Sequence, residues 1–105
     1  MKDKIKFEFI IDEKSEIIKS LTFLRNYLTS QNKSTESIDE LIVKWGESGK
    51  IELDKYEVGL TINALNNYRY KLKSANLSRK EINSILLRII NITERKELLK
   101  KGNER

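Results

Sequence analysis

Leu53-Asp54-Lys55-Tyr56-Glu57-Val58 and Leu77-Ser78-Arg79-Lys80-Glu81-Ile82 decide how this chain is read. Both contain an apolar residue, a short polar cap, a Glu three positions after the cap, and an apolar residue next to it. The cap side chain accepts from a first-turn N–H, the Glu reaches back to the cap's own N–H, and the flanking apolar pair fixes how the chain enters the helix. Each cap contributes about 1 kcal/mol. With no proline in the chain, these two starts predict long helices over 55–75 and 79–100.

Val58, Ile62, Leu65 and Leu72 recur at helical spacing in the first of these helices, flanked by Thr61 and Tyr68. Ile82, Ile85, Leu86, Ile89 and Ile92 do so in the second. Asn76 suits the left-handed residue that follows a helix C-terminus, so the joint is short and the helices run antiparallel. A hairpin of this length differs from a DNA-reading helix-turn-helix, whose helices are shorter and cross steeply. Leu87, Ile90 and Leu98 lie off the main stripe of the second helix. They must be covered by N-terminal elements or by a second copy of the chain, and they form the expected dimer face.

Working back towards the N-terminus, residues 4–11 alternate polar and apolar and read as a half-buried strand with Ile5, Phe7, Phe9 and Ile11 inward. A lone strand needs a partner, and Lys50-Ile51-Glu52-Leu53 is the candidate within the chain. A helix over 13–30, starting from Asp12 or Ser15, carries Ile17, Leu21, Leu24 and Leu28, widened by Ile18, Phe23 and Tyr27. Another over 36–46, capped by Thr35 or Ser37, buries Ile38, Leu41, Ile42 and Trp45, and Gly46 or Gly49 stops it. The expected fold is mainly α (α+β), in one domain over 1–105: short strand, two helices, short strand, then the long antiparallel helical hairpin.

Composition narrows the chemistry. Among 105 residues there is no Cys and no His, which removes disulfides, thiolate metal sites and a histidine base. No apolar run reaches membrane-spanning length, and the N-terminus lacks a signal-peptide core, so the chain reads as soluble, unprocessed and cytoplasmic. Residues 1–53 carry 9 Lys+Arg against 10 Asp+Glu, whereas residues 54–105 carry 12 against 6. The positive charge therefore belongs to the hairpin.

Two surfaces stand out. Arg69, Lys71, Lys73, Arg79, Lys80 and Arg88 cluster around the joint, with Glu81 the only acid from Arg69 to Arg88. That set could hold a phosphate backbone, though a solvated polar face explains it too and no nucleic-acid motif accompanies it. Tyr56, Leu60, Asn63, Asn67 and Tyr70 share the outward side of the first hairpin helix, where tyrosines and amides suit a protein contact.

Paired acids such as Asp12-Glu13 and Asp39-Glu40 serve helix starts. Gly46-Glu47-Ser48-Gly49-Lys50 lacks the spacing of a phosphate loop. Neither cofactor, metal nor small-molecule substrate is expected, and no enzyme activity. The reading is a small regulatory protein that binds a protein partner, with homodimerisation through the hairpin. Accessory and inhibitor proteins of phages and mobile elements share this general character. The alternative is a nucleic-acid-binding transcriptional regulator that uses the basic hairpin.

Overall fold

The structure is a computed structural model that describes residues 4–103, with side chains as far as residue 96. It is mainly helical, with a small two-stranded sheet. The elements are β1 (Ile5–Phe7), α1 (Ile11–Ser30), α2 (Glu36–Trp45), β2 (Ile51–Leu53), α3 (Lys55–Ser74) and α4 (Lys80–Asn103). β1 and β2 pair antiparallel, with Ile5 opposite Leu53, Lys6 opposite Glu52 and Phe7 opposite Ile51. The period of two puts Ile5, Phe7, Ile51 and Leu53 inward, and all four are buried.

The strand is shorter than its alternation suggested. Phe9 remains buried, but Ile11 is 82% exposed. β2 offers only three residues to pair with, and Ile10 is already the N-cap of α1. Beyond it the backbone turns with a period of 3.6, so Ile11 leaves the strand's inner face. α1 therefore begins before Asp12 and Ser15. Ile10 has no polar side chain for a cap, but its N–H donates to Glu13 Oε1 at 3.1 Å.

The two matching start signals behave differently. At α3 the box closes fully, with Glu57 N–H donating to Asp54 Oδ1 at 2.8 Å and Asp54 N–H to Glu57 Oε1 at 3.0 Å. Glu57 also receives Lys44 Nζ at 2.7 Å, which joins α2 to the start of α3. At α4 only a long contact forms, Lys80 N–H to Ser78 Oγ at 3.4 Å. Helical bonding there begins with Asn83 N–H donating to Arg79 O. α4 thus starts slightly later than its sequence signal, and it continues to Asn103.

The helix ends are alike. Asn32 and Asn76 take the left-handed conformation, at φ 57° and 61°. Lys33 N–H reaches Leu28 O at 2.9 Å, and Leu77 N–H reaches Leu72 O at 2.8 Å, the six-to-one bond that closes each helix. α2 stops at Trp45, and Gly49, at φ 79°, makes the turn into β2.

α1 is the central element. It packs most extensively on α3, then on α2, and also touches α4. Ile17, Leu21 and Leu24 meet Ile38, Leu41 and Trp45 of α2, Val58, Ala64 and Leu65 of α3, and Ile82, Ile85, Leu86 and Ile89 of α4 in one core. The hairpin is thus half of a four-helix arrangement, and the N-terminal elements cover much of α4. Trp45 fills the middle, its ring centroid 6.0 Å from that of Phe7 and 5.8 Å from that of Phe9. Its Nε1–H donates to the Thr61 hydroxyl at 3.2 Å, and that hydroxyl donates to Glu57 O at 2.9 Å. Among the described residues every buried side-chain nitrogen and oxygen has a hydrogen-bond partner.

α1 and α2 are also joined at the surface. Arg25 donates to Asp39, which also accepts the Thr35 hydroxyl at 2.9 Å. Arg25 first, and Thr35 second, hold the Asp39 carboxyl below its ordinary value. A carboxyl held low in the folded chain gives stability that is complete above its unfolded pKa of about 3.9 and is lost as pH falls through the folded value. Asp39→Asn is expected to flatten the acid limb of the melting-temperature profile between pH 6 and pH 2, by a small amount because the pair is exposed. Circular dichroism checks this, and parallel acid limbs would show that the pair contributes nothing.

Candidate functional site

The outward stripe of α3 runs Tyr56, Leu60, Asn63, Asn67, Tyr70, at steps of four, three, four and three. That spacing keeps one line along a helix facing the same way for about 21 Å. Tyr56 is 64% exposed and Tyr70 72%, Asn63 and Asn67 are also exposed, and Leu60 is half-buried against the core. The opposite side of α3 is filled by Val58, Thr61, Ala64 and Leu65, which leaves the stripe outside.

At its C-terminal half the stripe meets α1. Asn67, Tyr70 and Lys71 line a cleft of about 370 Å³ with Phe23, Leu24 and Tyr27. Phe23 packs against Tyr68 with ring centroids 5.9 Å apart, and Lys71 Nζ lies 5.3 Å from the Phe23 centroid. Sequence periodicity assigned Tyr27 to the widened inner stripe of α1, but it is more than half exposed. Its position at the rim of that stripe was the available signal; which helix lies beside it was not encoded locally.

The six cations of the hairpin are dispersed. Arg69, Lys73 and Arg79 line one groove of about 320 Å³ between α3 and α4, with Asn66, Tyr70 and Asn83. Lys71 lies in the aromatic cleft. Lys80 borders a different cleft, of about 440 Å³, lined with Asp12, Glu13, Glu16 and Glu81. Arg88 is held by the fold: its guanidinium donates to Glu13 and to Glu8 O at 3.2 Å, and lies 4.3 Å from the Phe9 centroid. The linear charge cluster is therefore not a continuous basic track.

Of the expected dimer face, Leu87 is 61% exposed and Ile90 is half-buried. The side chain of Leu98 lies outside the described residues. A further apolar surface was missed by sequence reasoning. Exposed Ile10 and Ile11 border a groove of about 680 Å³ that runs past Phe9, Ile18 and Trp45 to the 46–49 turn. The period-two pattern had turned Ile11 inward.

Among the described residues no group of three or more His, Cys, Asp or Glu is arranged to hold a metal ion. No described helix is long and apolar enough to cross a membrane. No protein-family model, curated protein or solved structure matches the chain.

Proposed function

We propose that this is a small non-enzymatic regulatory protein that works by occupancy: it binds a helical segment of a partner protein across the face shared by α1 and α3. The observation that carries the reading is the aromatic cleft in which Tyr27 and Phe23 join Asn67 and Tyr70. Such a cleft accepts one apolar anchor, and tyrosines around it supply contact area at low entropic cost. The partner helix has an acidic flank. Glu57 is the only acid on α3, and it is engaged by Lys44 and by the Asp54 N–H, whereas Lys71 stands at the cleft and Arg69 and Lys73 lie beside it. The stripe from Tyr56 to Tyr70 gives the partner a line of contact about four helical turns long.

Selection from a displayed library of amphipathic helices tests this. The enriched peptides are expected to carry apolar anchors at helical spacing with Asp or Glu beside them. Tyr27→Ala and Tyr70→Ala should each weaken binding by roughly thirtyfold, the effect of losing a 2 kcal/mol anchor. Peptides that bind both variants as well as the unmodified chain would move the partner surface elsewhere.

The dispersal of the hairpin cations weighs against the nucleic-acid reading. Neutralising phosphates along a duplex needs cations in a row, and Arg88, Lys80 and Lys71 each face a different neighbour.

A further inference from the structure

We infer that the groove between α3 and α4 is a binding site for a single phosphate monoester, held by Arg69, Lys73 and Arg79. Three features carry the assignment. The arginines here are held by neutral oxygens: Arg69 Nη1 donates to Asn83 Oδ1 at 3.3 Å, and Arg79 Nη1 to Leu77 O at 3.2 Å. By contrast, Arg25 and Arg88 elsewhere in the fold both meet carboxylates. Among the described residues no acid lines the groove, so the charge gathered there is positioned and not neutralised.

Arg69 and Lys73 are also four residues apart on one helix, an arrangement in which like charges repel. An anion between them relieves that repulsion. The groove opens where α4 begins, since Arg79 directly precedes its first residue and Asn83 lies in its first turn. The α3 C-terminus, with Lys73 in its last turn, lies at the same end, so the two helix dipoles oppose each other there and the positive field comes from the side chains.

The size of the groove sets the ligand class. About 320 Å³ matches the lower end of small-molecule sites, and the cations are confined to it. Tyr70 forms part of the wall, and Asn66 presents an amide beside it. A ring attached to the phosphate would stack on Tyr70, as bases do on exposed aromatics. The shared chemistry is the phosphate monoester dianion, whether borne by a nucleoside or by a sugar.

Titration of the full chain with inorganic phosphate, AMP and ribose 5-phosphate, followed by amide and side-chain NMR, tests the site. Saturable shifts at Arg69, Lys73 and Arg79 are expected with each probe. AMP binding more tightly than ribose 5-phosphate would identify stacking on Tyr70; equal affinities would identify the phosphate alone as the recognised group. Arg69→Gln and Arg79→Gln should each weaken phosphate binding roughly tenfold or more, as loss of a charge-assisted bond does.

Lys73→Gln, an exposed substitution, should also weaken binding, whereas Lys33→Gln on the α1–α2 connection should not. Tyr27→Ala should leave phosphate binding intact while weakening helix capture, so failure of this site and failure of the partner face are separable. Non-saturable shifts, or variants that bind like the unmodified chain, would overturn the proposal. So would single-stranded oligonucleotides whose affinity climbs with length, because that requires a track and not a groove.

Discussion

Trp45→Ala is expected to lower stability by about 3–5 kcal/mol, the cost of a large cavity in a packed core. For a domain whose total stability is about 5–15 kcal/mol, that is about a fifth or more of what holds it folded. Trp45 is fully buried against Phe7 and Phe9, and α1, β1 and α3 all close around it. Urea denaturation followed by far-ultraviolet circular dichroism measures the loss; a change below about 1 kcal/mol would mean that the site collapses without cost.

The polar end of the same ring gives a finer test. Thr61→Val leaves Nε1–H buried without an acceptor, at about 1–3 kcal/mol. Adding Trp45→Phe removes the orphaned donor, so the double variant should lose less than the sum of the two single losses.

Lys14→Ala is expected to cost about 2–3 kcal/mol, more than a surface lysine could. Lys14 is almost fully buried, and its ammonium donates to Glu47 O at 2.6 Å and Gly49 O at 2.8 Å. It thereby fastens the first turns of α1 to the bend that carries the chain from α2 into β2. Lys14→Met restores the apolar stem and leaves the two carbonyls without their cation. Its stability should fall between those of the unmodified chain and the alanine variant, and the remaining deficit measures the hydrogen bonds. Faster amide exchange at Ser48 and Lys50 in both variants would confirm that the bend has been released; equal stabilities of the two variants would assign the whole effect to the hydrogen bonds, and a methionine variant as stable as the unmodified chain would assign it to packing.

What could be read from the chain follows the range of the interaction involved. The Asp54–Glu57 box spans three residues and is legible because both partners and the geometry between them are local. The mainly helical α+β class was legible for the same reason, from short-range periodicity. Ser78 shows where such a signal falls short: the residue types match, yet helical bonding starts at Arg79, and the reciprocal Glu81 bond does not form among the described residues.

The candidate site was less legible. Arg88 looked available until Glu13, 75 residues away, was brought beside it. Lys71 and Lys80 point to separate neighbours because α1 lies against both hairpin helices, and nothing within 69–88 encodes α1. The centrality of α1 was hidden likewise, since its stripe is no stronger than those of its neighbours. Tyr56, Asn63, Asn67 and Tyr70 were easier, because their side of α3 follows from the side occupied by Val58 and Leu65.

The pairing of β1 with β2 has a consequence for synthesis. The first strand emerges from the ribosome long before residues 51–53 exist, and Arg88, which reaches Glu8 and Phe9, comes 80 residues after Glu8. At about 5–20 residues per second the nascent chain spends several seconds with Phe7 and Phe9 uncovered. Trp45 and β2 are the first groups able to cover the two rings, and the cover over Phe9 is complete only once Arg88 has been made.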